Sequence, residues 1–122
     1  MYVRNLGAEE IESGRRVLHA MKESGMRVTA ALWAYSSETG IWRLVIATHE
    51  VDRKGPIASY IRLSKLLLEE RPATDLSDID ISLVSPRDSY IREIRSRYHK
   101  AASESPIQVN SSLGQETFVY TA

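Results

Sequence analysis

The stretch VTAALWAYSSETGIWRLVIATH, residues 28–49, decides the fold, because it holds two strand patterns separated by a short turn. Val28 to Tyr35 forms the first pattern and Ile41 to His49 the second, and the connection SSETG ends in a glycine. Two such runs joined by a few residues that include glycine are typical of a β-hairpin. We therefore expect an antiparallel pair of strands at the centre of the molecule.

The turn predicts the register of this hairpin. If Ser36 lies opposite Ile41, the cross-strand pairs are Tyr35 with Trp42, Trp33 with Leu44 and Ala31 with Ile46. The alternate positions of both strands are apolar as well, which is typical of strands that are covered on both faces. Cross-strand aromatic pairs of this kind normally pack in a core, so we expect the tryptophans there and not in a ligand pocket.

A helical pattern precedes the hairpin, from Ala8 to Ser24. Its apolar stripe has helical spacing and includes a glycine: Ile11, Gly14, Leu18 and Met21. Glycine weakens a helix by roughly 1 kcal/mol relative to alanine. Gly14 on the apolar stripe therefore predicts close packing against a neighbouring element.

Two further helices and a strand are expected after the hairpin. Gly55-Pro56 opens the second helix, whose predicted buried stripe is Ile57, Tyr60, Ile61 and Leu68. A short strand alternates around Ile81 and Leu83. Ser85-Pro86-Arg87-Asp88 predicts the start of the third helix, with Ser85 as N-cap and Pro86 in the first turn.

The segment from Ile107 to Tyr120 contains two β-prone runs and predicts a second hairpin. The resulting order is α-β-β-α-β-α-β-β. We expect an α/β (α+β) fold with a mixed sheet of about five strands and three helices, in one globular domain spanning residues 1–122. The strand–helix–strand steps predict parallel neighbouring strands.

Several of these segments resemble a group of small uncharacterised bacterial proteins. The similar segments are ALWAY at 31–35, WRLVIAT at 42–48, VD at 51–52 with GP at 55–56 and Tyr60, SLVSP at 82–86 and, more loosely, GQETFVY at 114–120. The resemblance spans roughly residues 30–120. It implies a bacterial, cytoplasmic origin and supports the boundaries of the fold. That group has no assigned activity, cofactor or catalytic residue, so no function follows from it.

Composition excludes several classes of protein. The chain has 122 residues, of which 43% are hydrophobic, and its sixteen basic and sixteen acidic side chains cancel. No overall field therefore attracts nucleic acid or an anionic membrane. The absence of cysteine rules out disulfides and thiolate chemistry. No signal peptide or membrane-spanning run is present in the sequence, so we expect a cytoplasmic protein that does not associate with a membrane.

One candidate ligand site lies where two predicted strands end. The segments 49–56 and 85–88 follow these strands, and the carboxyl ends of parallel strands meet at one edge of a sheet. Helix N-termini and basic side chains at that edge favour an anion such as a phosphate. The candidate ligand-binding residues are His49, Asp52, Arg53, Lys54, Ser85 and Arg87.

A second candidate surface is the basic segment 87–100. Arg92, Arg95 and His99 share a predicted helical face that could follow a nucleic-acid backbone. The same face could pair with the acidic segment 69–80 of this or a neighbouring molecule. No histidine or carboxylate spacing predicts a metal site, no motif predicts a cofactor, and no nucleophile motif is present.

The sequence is compatible with three hypotheses about function. The leading hypothesis is a non-catalytic protein that acts by binding a protein partner or a second copy of itself, and the free edge of the C-terminal hairpin is the expected contact for self-association. The alternative is a protein that binds or acts on a phosphorylated small molecule or nucleotide at residues 49–56 and 85–88. The third is nucleic-acid binding through the helix at 87–100.

Overall fold

The computed structural model describes residues 6–36, 38–70, 80–97, 107–110 and 116–121. In these ranges the elements are α1 (Ala8–Glu23), β1 (Val28–Ser36), β2 (Ile41–Thr48), α2 (His49–Lys54), α3 (Pro56–Glu69), β3 (Ile81–Val84), α4 (Ser89–Arg97), β4 (Ile107–Asn110) and β5 (Glu116–Thr121). The predicted combination of a mixed sheet with α-helices is confirmed. The prediction of three helices is wrong, because a short additional helix, α2, follows β2 directly.

The strands form one sheet in the order β3-β2-β1-β5-β4. β2 and β3 run parallel, and the other neighbouring pairs are antiparallel. The predicted parallel step between β2 and β3 is therefore confirmed. The same expectation for β3 and β4 is wrong, because those strands lie at opposite edges of the sheet. The predicted C-terminal pairing of β4 with β5 is confirmed, while the connection 111–115 lies outside the described residues.

The central hairpin has the register that its turn predicts. The observed pairs are Ser36 with Ile41, Tyr35 with Trp42, Trp33 with Leu44 and Ala31 with Ile46. The Tyr35 and Trp42 rings lie 5.1 Å apart, and Phe118 of β5 packs edge-on against Trp42 at 5.5 Å. Such tilted and edge-on contacts are the arrangements that aromatic rings prefer. The aromatic residues are thus part of the core.

Both faces of the sheet are covered, as the apolar character of both strand faces predicts. On one face, Trp33 and Leu44 pack with Met21 of α1 and Leu63 of α3. On the other face, Leu32 packs with Ile91 and Ile94 of α4 and with Val119 of β5. Helices on both sides explain why β1 carries an almost uninterrupted apolar run.

The prediction for the buried face of α3 is wrong. Ile57, Ile61 and Leu68 are 76%, 53% and 54% exposed, whereas the buried residues of this helix are Ser59, Leu63 and Leu67. The cause is that α3 is apolar around much of its circumference, so that periodicity alone fits more than one stripe. Of the four predicted stripe residues, only Tyr60 packs partly against the core.

Gly14 lets α1 approach β1 and β5 closely, as its place on the apolar stripe predicts. A Cβ atom at this position would lie 2.6 Å from the Tyr120 hydroxyl oxygen and 3.1 Å from the Trp33 indole nitrogen. That nitrogen donates a hydrogen bond to the Tyr120 oxygen at 2.9 Å, and Tyr120 donates to the Ile11 carbonyl at 2.7 Å. A side chain at position 14 would therefore displace a buried hydrogen-bond network.

We expect Gly14→Ala to destabilise the protein, although the same change in an exposed helix is stabilising by up to about 1 kcal/mol. Overpacking against Tyr120 and Trp33 should lower the free energy of unfolding by about 1–3 kcal/mol. Urea denaturation measures the difference, and Ser13→Ala on the same helix is the matched control, which should change little. A Gly14→Ala protein more stable than the parent would contradict the close approach.

Candidate functional site

The two segments of the sequence-predicted site do meet at one edge of the sheet. β2 and β3 are parallel, with Ala47 opposite Val84, so that both strands end at the same edge. Across this edge Arg87 Nε lies 3.7 Å from Asp52 Oδ2. The topology therefore brings residues 49–56 and 85–88, here called the rim, into contact.

The charges at the rim largely compensate one another. Arg87 faces Asp52, and Lys54 Nζ lies 3.9 Å from Glu50 Oε2. An anion would have to compete with these carboxylates for the same cations. The rim thus has the charge pattern of paired connecting segments, which offer an anionic ligand little net attraction.

The predicted helix start at Ser85 is wrong, because α4 begins at Ser89. Residues 85–88 close into a turn in which the Asp88 amide donates to the Ser85 carbonyl at 3.0 Å. Asp88 Oδ1 accepts from the Tyr90 amide at 3.0 Å and thereby caps the helix. Ser85 Oγ accepts from the Arg87 amide at 3.0 Å. These acceptors take up amides that the predicted anion site requires.

The sequence predicts that His49 ends a strand. This prediction is wrong, because His49 begins α2, where it is exposed. Thr48 is the N-cap of this helix, and its hydroxyl accepts from the Glu50 amide. His49 and Arg53 line a cavity of about 340 Å³ with Gly25, Arg27 and Glu50. Of the six predicted ligand-binding residues, these two alone share this cavity, here called the Glu50 cavity.

Glu50 is 7% exposed and is the most buried acidic side chain in the described part of the chain. Arg62 Nη1 lies 2.9 Å from its Oε1 atom, and Arg62 Nη2 donates to the Ser24 carbonyl at 2.8 Å. Within the described residues, Oε2 accepts no hydrogen bond. The pair joins α2, α3 and the end of α1, and it leaves Oε2 of Glu50 buried without a hydrogen bond from the described residues.

A larger cavity of about 570 Å³ adjoins the Glu50 cavity, because Gly25 and Arg27 line both. Its remaining lining residues come from α1, the connection of α1 to β1, the start of β1 and the end of β5: Arg15, Leu18, His19, Lys22, Met26, Val28, Tyr120 and Thr121. No carboxylate is among these described lining residues. We call it the basic cavity, since it combines basic side chains with an apolar floor.

Some of the basic side chains of this cavity form ion pairs with carboxylates and others do not. Arg15 donates two hydrogen bonds to Glu12, at 2.6 and 2.9 Å, and this contact lowers the pKa of the Glu12 carboxyl. No ion pair to Lys22 or Arg27 forms within the residues that the structure describes. Lys22 and Arg27 therefore provide the uncompensated positive charge of the basic cavity.

The basic cavity is not predicted from the sequence, although the sequence contains one signal for it. Arg15, His19 and Lys22 follow at i, i+4 and i+7, which places them on one helical face. Arg27 and the ends of β1 and β5 line the cavity only because the tertiary structure brings them next to α1. No local pattern connects residue 27 with residues 120 and 121.

The candidate nucleic-acid surface is only partly described. Arg92 and Arg95 are exposed on α4, whose buried residues are Ile91 and Ile94, whereas His99 lies outside the described residues. Arg97 Nε lies 3.9 Å from Glu93 Oε1 on the same helix. This surface stays a prediction, and a loss of affinity with increasing salt would test it.

Further observations bear on the class of protein. In the described part of the chain no group of three histidine, aspartate or glutamate side chains could hold a metal ion. None of the helices there has the length and apolar character that crossing a membrane requires. Comparison of the chain with family models, curated proteins and solved structures finds no match. The resemblance to small bacterial proteins therefore stays a prediction.

Proposed function

We propose that this protein is a non-catalytic binding protein and that its ligand is a small anion with an apolar group, held in the basic cavity. The observation that carries the proposal is the combination of Lys22 and Arg27, both without a carboxylate partner in the described structure, with an apolar floor. Apolar lining with a few polar groups that fix orientation is typical of small-molecule sites. The volume of about 570 Å³ lies in the range of such sites.

The two parts of such a ligand would bind to different parts of the basic cavity. Leu18, Met26 and Val28 would take up its apolar part, at about 25 cal/mol for each Å² of apolar surface buried. Lys22 and Arg27 would pair with its anionic group at the open side, where both side chains are exposed. Because exposed cations are screened by salt, the charged part should add specificity and a salt-dependent share of the affinity.

The proposed ligand is anionic, as expected from the sequence, but its site is the basic cavity and not the rim. At the rim, Arg87 and Lys54 face Asp52 and Glu50. No carboxylate lines the described part of the basic cavity, and neither Lys22 nor Arg27 forms an ion pair with a described residue.

Calorimetry with matched probes tests the proposal. We expect 1-naphthyl phosphate and decanoate to bind, 1-naphthol and inorganic phosphate to bind more weakly, and high salt to reduce the affinity of the anions. Lys22→Gln and Arg27→Gln should each weaken binding of both anions about tenfold, which corresponds to about 1.4 kcal/mol. Lys65→Gln, an exposed cation on α3 outside the cavity, is the matched control and should leave the affinity unchanged.

Two results would contradict this function. The first is equal binding of 1-naphthol and 1-naphthyl phosphate, which would leave no role for the cations. The second is unchanged heats in the Lys22 and Arg27 variants. Binding that instead disappears in Arg87→Gln would return the site to the rim.

A further inference from the structure

Helix α3 presents an unpaired apolar stripe to solvent. Ile57, Ile61 and Leu68 are 76%, 53% and 54% exposed. At 100° per residue these three positions fall within an arc of about 40°. The buried Ser59, Leu63 and Leu67 face the sheet from another side of the helix. Large apolar side chains gathered on one face in this way are typical of an interaction surface.

The charges at the ends of α3 run against its helix dipole. Arg53 and Lys54 precede its N-terminus, where the dipole favours anions, and Glu69 and Glu70 stand at its C-terminus, where it favours cations. The first turn of α3 contains no acidic residue and the last turn no basic one. Arg53 and Lys54 also stand in the last turn of α2, where the dipole favours cations. What matters for a partner is that charges of opposite sign stand at the two ends of the exposed stripe.

An antiparallel copy of the same helix matches these end charges. The basic end of each α3 would lie beside the acidic end of the other, and the contact would occur twice because a twofold interface is self-complementary. Ile57 would pack against Leu68 of the second copy, and Ile61 would lie near the twofold axis. The apolar stripe and the end charges thus fit one and the same partner geometry.

We propose that the solvent-facing side of α3 is a self-association surface and that its occupant is a second copy of this chain, with the two α3 helices antiparallel. Self-association does not depend on the ligand proposed for the basic cavity, because Ile57, Ile61 and Leu68 do not line that cavity. With three large apolar residues from each copy, the interface is small and the dimer should be weak.

Sedimentation equilibrium on the full chain tests the proposal over roughly 10 to 1,000 μM, the range in which small interfaces associate. We expect the average mass to rise toward twice 13.8 kDa. Ile57→Ser combined with Ile61→Ser should raise the dissociation constant at least about tenfold. Ala58→Ser, also exposed on α3 but off the stripe, is the matched control and should dimerise as the parent does.

Charge reversal tests the antiparallel geometry specifically. Lys54→Glu and Glu69→Lys should each weaken self-association, because like charges then meet at both ends of the interface. An equimolar mixture of the two variants should recover the dimer as a heterodimer. Since Lys54 also lies near Glu50, thermal melting must first show that Lys54→Glu is folded, and Arg53→Glu replaces it if it is not.

Three outcomes would overturn the inference. The first is a parent that stays monomeric over the whole concentration range. The second is dimerisation of the stripe variants as tight as that of Ala58→Ser, which would place the contact elsewhere, for example at the β4 edge of the sheet. The third is failure of the mixed charge variants to associate although the parent does, which would exclude the antiparallel arrangement.

Discussion

Replacing Arg62 with methionine should lower the free energy of unfolding by about 3 kcal/mol, because Glu50 would then be a buried carboxylate without its main cation. Breaking a buried ion pair by removing one partner typically has an effect of about 3–5 kcal/mol. The lower end applies here because the Arg62 side chain is 33% exposed, so that water reaches one side of the pair. The Ser24 carbonyl also loses its hydrogen bond from Arg62.

A double-mutant cycle in urea denaturation checks this explanation. Glu50→Gln alone should have a smaller effect, since its side-chain carbonyl can still accept from Arg62. Glu50→Gln added to Arg62→Met should recover much of the loss, because no buried charge remains. If Arg62→Met changes stability by less than about 1 kcal/mol, Glu50 is better solvated than its 7% exposure indicates.

The pair also bears on the Glu50 cavity, because Arg62 holds the carboxylate that lines it. Removing the arginine should therefore disturb the cavity as well as the stability of the protein. Comparing Arg62→Met with Arg53→Gln separates the effect on the cavity from the effect on the free energy of unfolding, because Arg53→Gln should change the cavity and leave the stability nearly unchanged. Arg53 lines the cavity, is exposed and forms no ion pair within the described residues.

The sequence predicted the hairpin of β1 and β2 correctly down to its register, for a physical reason. A short turn leaves few ways to close two strands, and the closure at Ser36 and Ile41 places large apolar residues on both faces. The parallel pairing of β2 with β3 was predictable because a helix connects them. Local geometry was sufficient in both cases.

The predictions from the sequence were wrong where the same segment allows two helix N-caps or two apolar stripes. Ser85 and Asp88 are both good N-caps, and the choice of Asp88 is settled by a turn that buries Pro86. Helix α3 offers alternative apolar stripes, and packing on the sheet selects Leu63 and Leu67. Neither choice is encoded in the spacing of the residues alone.

The candidate site was the least predictable part of the molecule. The rim was placed correctly as a meeting point of two segments, but the balance of its charges depends on tertiary contacts such as Arg87 with Asp52. The basic cavity joins residues from α1, the α1–β1 connection, β1 and β5. β5 is distant from β1 in the sequence and becomes its neighbour only in the folded sheet. A site assembled across the chain in this way leaves little trace in any single segment.

The second large effect is expected at alkaline pH and depends on Tyr120. This side chain is 1% exposed, and burial raises the pKa of its phenol from the usual 10 to about 12, while the hydrogen bond from Trp33 acts in the opposite direction. Ionisation would also end the donation from the Tyr120 hydroxyl to the Ile11 carbonyl at 2.7 Å. The folded protein therefore holds a proton that the unfolded chain releases at lower pH.

The direction of the pH dependence follows from this difference in proton binding. Below pH 10 the phenol is protonated in both the folded and the unfolded state, so its full contribution to the free energy of unfolding is present. Between about pH 10 and 12 the unfolded state binds fewer protons than the folded state, and the free energy of unfolding falls as the pH rises. A shift of two units corresponds to about 3 kcal/mol over that window.

Tyr120→Phe removes this titration and isolates its effect. Near pH 8 the variant should be less stable than the parent by about 1–3 kcal/mol, because the Trp33 indole N–H loses its acceptor. As the pH rises from 10 toward 12 the difference should shrink and then vanish, since only the parent loses the Tyr120 contribution. Urea denaturation across this range, with tyrosinate absorbance recorded alongside, measures both quantities. A constant difference between parent and variant would show that the Tyr120 phenol ionises equally well in the folded protein, and the tightly packed junction of α1, β1 and β5 would then have to be open to water.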